Sequence, residues 1–187
     1  VQALFVDKHL RNVSDRYDFD SIRVGIQPFS SDFRGFLFQD SQLGVRLFGT
    51  RANNVFQYNL AWFRRLEKDT NSGLNDVTQS IRDDDVLAAN IYWQDFLKLG
   101  LTSQATVIHN RNREHGDVEY DKNGFIQRPS SLLEERFSRD YDVTYFGYSA
   151  DGHFDRLNIS SSWYYAYGEQ ESTRLRSEDE KVRAWFT

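Results

Sequence analysis

The sequence has no cysteine, which excludes disulfide bonds and thiolate metal sites. It has no methionine either, not even at position 1, and we therefore expect the chain to start inside a longer product. No apolar run approaches the roughly 20 residues that a membrane-spanning helix needs, and no charged-then-apolar signal peptide is visible at Val1. The formal net charge of −5 argues against a nucleic-acid binder.

Apolar and polar residues instead alternate along most of the chain, and a period of two predicts β-strands. The clearest example is the hairpin Asp40–Leu66, in which the short turn-like link TRANN joins two amphipathic strands. Asp151, Gly152 and His153 predict another tight turn. The other predicted strands lie at Ser21–Phe29, Val86–Leu97, Leu101–Arg111, Tyr141–Ala150, Phe154–Gly168 and Lys181–Thr187, and residues 1–20 are an uncertain N-terminal strand and connection.

Short and long connections alternate along the chain. Short ones fall near Arg51, Lys98 and Gly152. This rhythm is typical of an antiparallel up-and-down meander with short periplasmic turns and long extracellular loops, whereas soluble sandwiches mix lengths less regularly. We therefore predict an all-β fold that forms a transmembrane β-barrel, or part of one, as a single domain over residues 1–187. The long connections are Ser30–Gln39, Glu67–Asp85, Asn112–Asp140 and Glu169–Glu180.

The alternation gives each strand an apolar and a polar face. In a membrane barrel the apolar face meets lipid and the polar face lines the lumen. Aromatic residues on the apolar face predict girdles at the membrane surfaces: Phe56, Tyr58, Trp62, Trp93, Trp163, Tyr165 and Tyr167. The polar face predicts a pore lining: Arg23, Arg46, Gln57, Asn59, Arg65, Asn90, Tyr92, Gln104, Arg156, Asn158 and Arg183.

Several segments also resemble a known class of proteins. SIRVGIQPF, SSDFRGFLFQD and SQLGVRLFG, followed by NNVFQYNLAWF and EKDTNSGLN, look like parts of the large β-barrel outer-membrane proteins of Gram-negative bacteria, most of all porin-like and alginate-export-like barrels. The resemblance implies an outer-membrane location. Because such barrels usually have more strands than the seven or eight predicted here, it also implies a segment of a larger barrel. A complete eight-stranded barrel, filled by its own side chains, is the alternative.

The arginines on the polar face suggest a function. A guanidinium group suits carboxylate and phosphate, and rings of arginine bias a pore toward anions. We therefore expect a porin-like channel or transporter for anionic solutes, such as acidic saccharides, surrounded by outer-membrane lipid and without a cofactor. The same arginines could instead pair with inward acids such as Asp40 and only fill the interior. A soluble β-sandwich that binds carbohydrate or serves in adhesion is a second hypothesis, and an outer-membrane hydrolase is a third.

Signals for metal binding and catalysis are weaker. Glu119, Asp121 and Asn123 occupy the first, third and fifth positions of a calcium-loop pattern, but an Asn-Gly turn in a surface loop explains the same residues. His153, Asn158 and Ser160 faintly echo the lipid-side residues of outer-membrane lipases, although the alternation directs the last two to the lumen. We therefore expect no catalytic site and no bound metal.

Overall fold

The computed structural model describes residues 1–127, 137–172 and 178–187. These residues form one antiparallel sheet of nine strands, and each strand pairs with its neighbours in the sequence. The predicted all-β up-and-down meander is thus confirmed. The first and last strands do not pair with each other, so the sheet is not closed. The strands are β1 (Leu4–Asn12), β2 (Phe19–Ser30), β3 (Gln39–Arg51), β4 (Phe56–Leu66), β5 (Ile81–Trp93), β6 (Leu101–Asn112), β7 (Tyr141–Phe154), β8 (Leu157–Gln170) and β9 (Glu180–Phe186).

The connections confirm the predicted alternation of lengths. At one end of the sheet, which we call the short-turn end, the strands are joined by 13–18, 52–55, 94–100 and 155–156. At the opposite end, the long-loop end, they are joined by 31–38, 67–80, 113–140 and 171–179. The predicted connections Asn112–Asp140 and Glu169–Glu180 include residues 128–136 and 173–177, which lie outside the described residues.

Several predicted boundaries are wrong. The strand predicted for Val86–Leu97 ends at Trp93. The connection predicted to end at Asp85 ends earlier, because β5 begins at Ile81 and already pairs with β4 there. The turn predicted at Asp151–His153 is part of β7, and the hairpin closes instead at Asp155 and Arg156, where Asp155 takes a left-handed conformation with φ 54°. Aspartate tolerates that conformation better than most residues, so a two-residue turn forms without glycine.

The alternation predicted for the two faces is confirmed in β4 and β5. On one face, which we call the outer face, Leu60, Trp62 and Leu87 are about half exposed. On the opposite, inner face, Asn59 and Asn90 are buried. Strand pairing carries this division across the sheet, because directly paired residues point to the same side.

The inner face is buried because the connection 31–38 folds back over it. We call residues 31–38 the interior segment. The Ser31 carbonyl accepts hydrogen bonds from Asn90 Nδ2, Gln104 Nε2 and Thr106 Oγ1 at 3.0, 2.6 and 2.9 Å. Further along, the Phe36 ring stacks on Tyr164 with centroids 5.2 Å apart. The segment therefore crosses the sheet from β5 to β8.

A small apolar core lies beneath the start of this segment, on the inner face. It centres on Phe63, which is fully buried and lies 5.2 and 5.6 Å from the rings of Phe29 and Phe38. Gly147 helps to make room for the segment, because a Cβ there would lie 3.0 Å from the Tyr164 ring and 3.3 Å from Leu37. The interior of the sheet is thus packed around its own connection.

Candidate functional site

A cavity of about 610 Å³ lies on the inner face and brings together four residues predicted to line a pore. These are Arg46, Gln57, Asn59 and Tyr92. Strand pairing places them side by side, since Gln57 is directly opposite Tyr92. We call this space the Arg46 cavity, and its full lining is Pro28, Phe29, Ser30, Gln39, Asp40, Ser41, Arg46, Gln57, Asn59 and Tyr92.

In the part of the chain that the structure describes, Arg46 is held in the cavity without a carboxylate partner. Its Nε donates a hydrogen bond of 2.7 Å to Asn59 Oδ1. Its guanidinium carbon lies 5.3 and 4.7 Å from the ring centroids of Phe29 and Phe48, within cation–π range. None of the ion pairs in the described part of the chain includes Arg46. Because a guanidinium carries five N–H donors, Arg46 retains donors for an anion in the cavity.

Two other predicted pore arginines are paired with acids. Arg23 Nη2 lies 2.5 Å from Asp7 Oδ2, and Arg65 Nη1 lies 3.4 Å from Asp84 Oδ2. Asp40, the acid expected to pair with inward arginines, contacts Lys68 Nζ at 2.6 Å instead. The filling role that the sequence left open therefore applies to Arg23 and Arg65, and Arg46 differs from both.

Asn90 and Gln104 hold the chain together rather than face an open space. Both donate to the Ser31 carbonyl, and Gln104 Oε1 also accepts from the Phe33 backbone N–H at 3.1 Å. This use of the two amides was not predicted, because nothing in the sequence of β5 or β6 reveals that a distant connection covers them. The Ser-Ser-Asp sequence at 30–32 was the available signal, since such residues favour hydrogen-bonded turns.

Two residues predicted for the pore lining lie elsewhere. Arg156 is in the turn between β7 and β8, not on a strand. Arg183 is opposite Tyr167, with its guanidinium 5.7 Å from that ring, and therefore lies on the outer face. The prediction failed because Val182, Ala184 and Phe186 alternate with Arg183 and so look like the apolar, lipid-facing side of the strand. Pairing with Gly168, Ala166 and Tyr164 turns those three residues inward.

His153, Asn158 and Ser160, which resemble the lipid-side residues of outer-membrane lipases, have other neighbours in the structure. Asn158 lies opposite His153 across the β7–β8 hairpin. The Ser160 hydroxyl accepts a hydrogen bond of 2.8 Å from Arg34 Nη2, at the tip of the interior segment. Asn158 and Ser160 share the face of Tyr164, as the alternation predicted.

A second space of about 460 Å³ lies toward the long-loop end. The second cavity is roofed by residues of 113–127 and contains Arg65, Lys68 and Arg82. Asp40 lines both cavities. The two cavities therefore share one acid.

The predicted girdle residues lie on the outer face. Phe56 packs on Trp93 with ring centroids 5.1 Å apart, beside the connections 52–55 and 94–100 at the short-turn end. The Tyr58 hydroxyl donates to the Asp20 carboxylate, and Trp62 Nε1 donates to Asp85 Oδ1 at 3.0 Å. The aromatic side chains thus combine an apolar body with a polar end. On β8, Trp163 and Tyr167 are 59% and 49% exposed, and Tyr165 packs on Trp185.

A row of charged residues borders the apolar outer face at the long-loop end. Each member of the row is the direct register partner of the next across five strand pairs. The apolar residues of β4 extend from Phe56 to Trp62, and the row follows at the next outer position. We call this the charged row: Arg64, Asp85, Arg111, Asp142, Glu169 and Lys181.

The calcium-like loop forms a turn. Asp121 Oδ1 accepts hydrogen bonds from the backbone N–H groups of Asn123 and Phe125, both at 2.8 Å, and Oδ2 accepts from the Thr70 hydroxyl at 2.9 Å. The predicted surface-turn explanation accounts for these contacts. Among the residues that the structure describes, no group of three or more His, Asp or Glu side chains is placed to hold a metal ion.

Comparison of the chain with protein-family models, with curated proteins and with solved structures found no significant match. Within 1–127, 137–172 and 178–187, no helix is long and apolar enough to cross a membrane. The geometry of the sheet and of the Arg46 cavity therefore carries the functional argument.

Proposed function

We propose that the chain forms part of a porin-like β-barrel in a bacterial outer membrane and that the Arg46 cavity lies on the path of anionic solutes. The observation that carries this proposal is the inverted distribution of polarity. Large apolar side chains such as Leu60, Trp62 and Leu87 are exposed, while polar ones such as Gln42, Asn59 and Gln104 are buried. A soluble sheet would cover its apolar face, but in the described residues no element packs on the outer face.

The dimensions of the apolar face support the same proposal. From Phe56 to Arg64 the strand advances about 26 Å, which at a tilt of about 40° corresponds to a height of about 20 Å. Membrane barrels carry an apolar band roughly 25 Å tall, flanked by aromatic girdles. The open edges of β1 and β9 would be completed by further strands, because an unpaired edge is not stable in lipid.

The inner face supports selection of anions. Among the described residues Arg46 has no acid partner, whereas Arg23 and Arg65 do. A carboxylate or phosphate on a passing solute would meet the remaining guanidinium donors, with Gln57 and Tyr92 beside them. Acidic saccharides match this mixture of charge, amide and aromatic groups.

Reconstitution tests both parts of the proposal. The full chain should require detergent or lipid to stay monodisperse and should show a heat-modifiable gel shift. In planar bilayers under a salt gradient, it should form channels whose reversal potential lies toward the equilibrium potential of the anion. Monodisperse protein without detergent and without a gel shift would support the soluble sandwich instead. Insertion with a cation-side reversal potential would retain the barrel and refute the role of Arg46.

A further inference from the structure

A hydrogen-bonded chain of acid, base and hydroxyl lies on the outer face. His109 on β6 and Thr144 on β7 are direct register partners, and His109 Nδ1 lies 3.0 Å from Thr144 Oγ1. On its other side, His109 Nε2 lies 3.1 Å from Asp142 Oδ1. Arg113 Nη2 fixes the second oxygen of Asp142 at 2.9 Å. All three residues are thus oriented by the strands that carry them.

The contacts determine which nitrogen of neutral His109 carries the proton. An ionised Asp142 can only accept, so Nε2 must donate to it. Nδ1 is then unprotonated and can accept the Thr144 hydroxyl proton. This is the arrangement of a nucleophile, a general base and an orienting carboxylate.

An apolar groove on the outer face reaches His109, the middle residue of these hydrogen-bonded side chains. The groove, of about 450 Å³, is lined by side chains from β3 to β6, including Leu47, Leu60, Leu87, Val107 and His109. The charged row passes through Asp142 and Arg111, one outer position beyond Thr144 and His109. In a membrane, this border between apolar and charged side chains is the level at which the ester groups of lipids lie, between acyl chain and headgroup.

We propose that Asp142, His109 and Thr144 form a lipid-side catalytic site that hydrolyses an acyl ester of a membrane lipid, whose acyl chain occupies the groove. This inference rests on the proposed membrane location but not on transport through the inner face. The Thr144 oxygen attacks the ester carbonyl as its proton passes to His109 Nδ1. The C–O bond to the alcohol then breaks, and the alcohol leaves with that proton.

Water completes the reaction by the same route. It gives a proton to His109 Nδ1 and attacks the acyl-threonine, which releases the fatty acid and restores the Thr144 hydroxyl. Arg111 lies on the outer face beside His109 on β6 and forms no ion pair among the described residues. In the proposed reaction Arg111 stabilises the oxyanion of each tetrahedral intermediate.

The test uses the full chain in phospholipid vesicles with a heat-modifiable gel shift as the measure of insertion. Fatty-acid release is measured, and the peptide containing Thr144 is examined by mass spectrometry for an acyl adduct. Thr144→Val and His109→Asn should each reduce release by at least about 100-fold, whereas Thr144→Ser should retain it. Thr102→Val and His9→Asn, which change the same residue types elsewhere, should leave release unchanged.

The outcomes separate the two proposals. Inserted wild-type protein that releases no fatty acid, or release that survives Thr144→Val, would overturn the catalytic site and leave the barrel intact. Protein that gives no heat-modifiable shift would refute the membrane location itself. Release that depends on His109 and Thr144, with an adduct on Thr144, would establish the site.

Discussion

At the scale of single residues, the interior arginines differ in what their removal would leave behind. Arg65 balances the negative charge of Asp84, a fully buried residue that also contacts Arg82 at 2.8 Å. Arg46 compensates no acid in the residues that the structure describes. Under the proposed function, the charge of Arg46 acts on a solute, whereas the charge of Arg65 balances that of Asp84 within the fold.

Arg46→Gln should shift the reversal potential of reconstituted channels away from the anion side with little loss of stability, because no buried acid is left unpaired. Arg65→Gln should instead lower the free energy of unfolding by about 1–3 kcal/mol, since Asp84 loses part of its compensation. Planar-bilayer recordings and denaturant titrations measure the two effects. Equal changes in selectivity for both variants would assign no special role to Arg46.

A pair in the long loops should respond to pH. His115 Nδ1 lies 2.6 Å from Glu171 Oε2, and this hydrogen bond raises the pKa of His115 above its ordinary value of 6.5. Burial acts to raise the pKa of Glu171, but hydrogen bonds from His115 and from the Asp140 N–H leave it below its ordinary 4.5. The stabilisation that protonated His115 gives to this contact is fully present below pH 6.5 and is lost as pH rises through the raised pKa of His115. The stabilisation that ionised Glu171 gives is present above pH 4.5 and is lost as pH falls through the lowered pKa of Glu171.

The contact between 113–116 and Glu171 should therefore be strongest between about pH 4.5 and 6.5. Hydrogen exchange of the Asp140 and Glu171 amides, expressed as protection factors, should show higher protection at pH 5.5 than at pH 8.5. His115→Gln should abolish that difference. A difference that persists in His115→Gln would show that another group is responsible.

At the scale of elements, the interior segment depends on one acid. Asp32 is buried and accepts hydrogen bonds from the backbone N–H groups of Arg34, Phe36 and Leu37 at 3.0–3.1 Å. Asp32→Ala should release the segment, at a cost of about 1–3 kcal/mol, and should increase single-channel conductance. Proteolysis within 31–38 measures the release. Asp76→Ala removes a comparable turn acceptor in 67–80 and should leave the segment protected.

The elements differ in how far the sequence could reveal them. Alternation located β4 and β5 with their faces, because long amphipathic strands admit one register. It failed at β9, since this strand is short and has aromatic side chains on both faces. It also failed at Asp151 and Gly152, where a sequence typical of a turn continues as a strand. The Arg46 cavity was predictable from paired strands, but the interior segment depends on contacts between residues about 60–75 positions apart.

A substitution on one strand tests its assigned faces. Leu60→Arg places a charge on the outer face and should destabilise the inserted protein by about 2–4 kcal/mol if the site lies near the bilayer midplane. Gln57→Arg places the same charge at the Arg46 cavity and should cost much less. Unfolding in lipid vesicles gives both values. Similar costs at the two positions would refute the assignment of faces.

At the scale of the whole molecule, both proposed functions depend on which side of the open sheet meets lipid. An apolar face that spans the sheet and a polar face that is packed around its own connection are the two features that support the proposed membrane barrel over a soluble sandwich. The same division allows transport along the inner face and lipid hydrolysis on the outer face, because the two sites lie on opposite sides of β3–β7.

The most direct measurement of this central claim is a cysteine scan along β4, which the absence of native cysteine makes free of background. Spin labels placed one at a time from Gln57 to Trp62 in vesicle-reconstituted protein report contact with lipid-soluble oxygen or with a water-soluble relaxant. The account predicts a period of two, with oxygen contact at Tyr58, Leu60 and Trp62. Water contact on both faces, or no alternation, would contradict it.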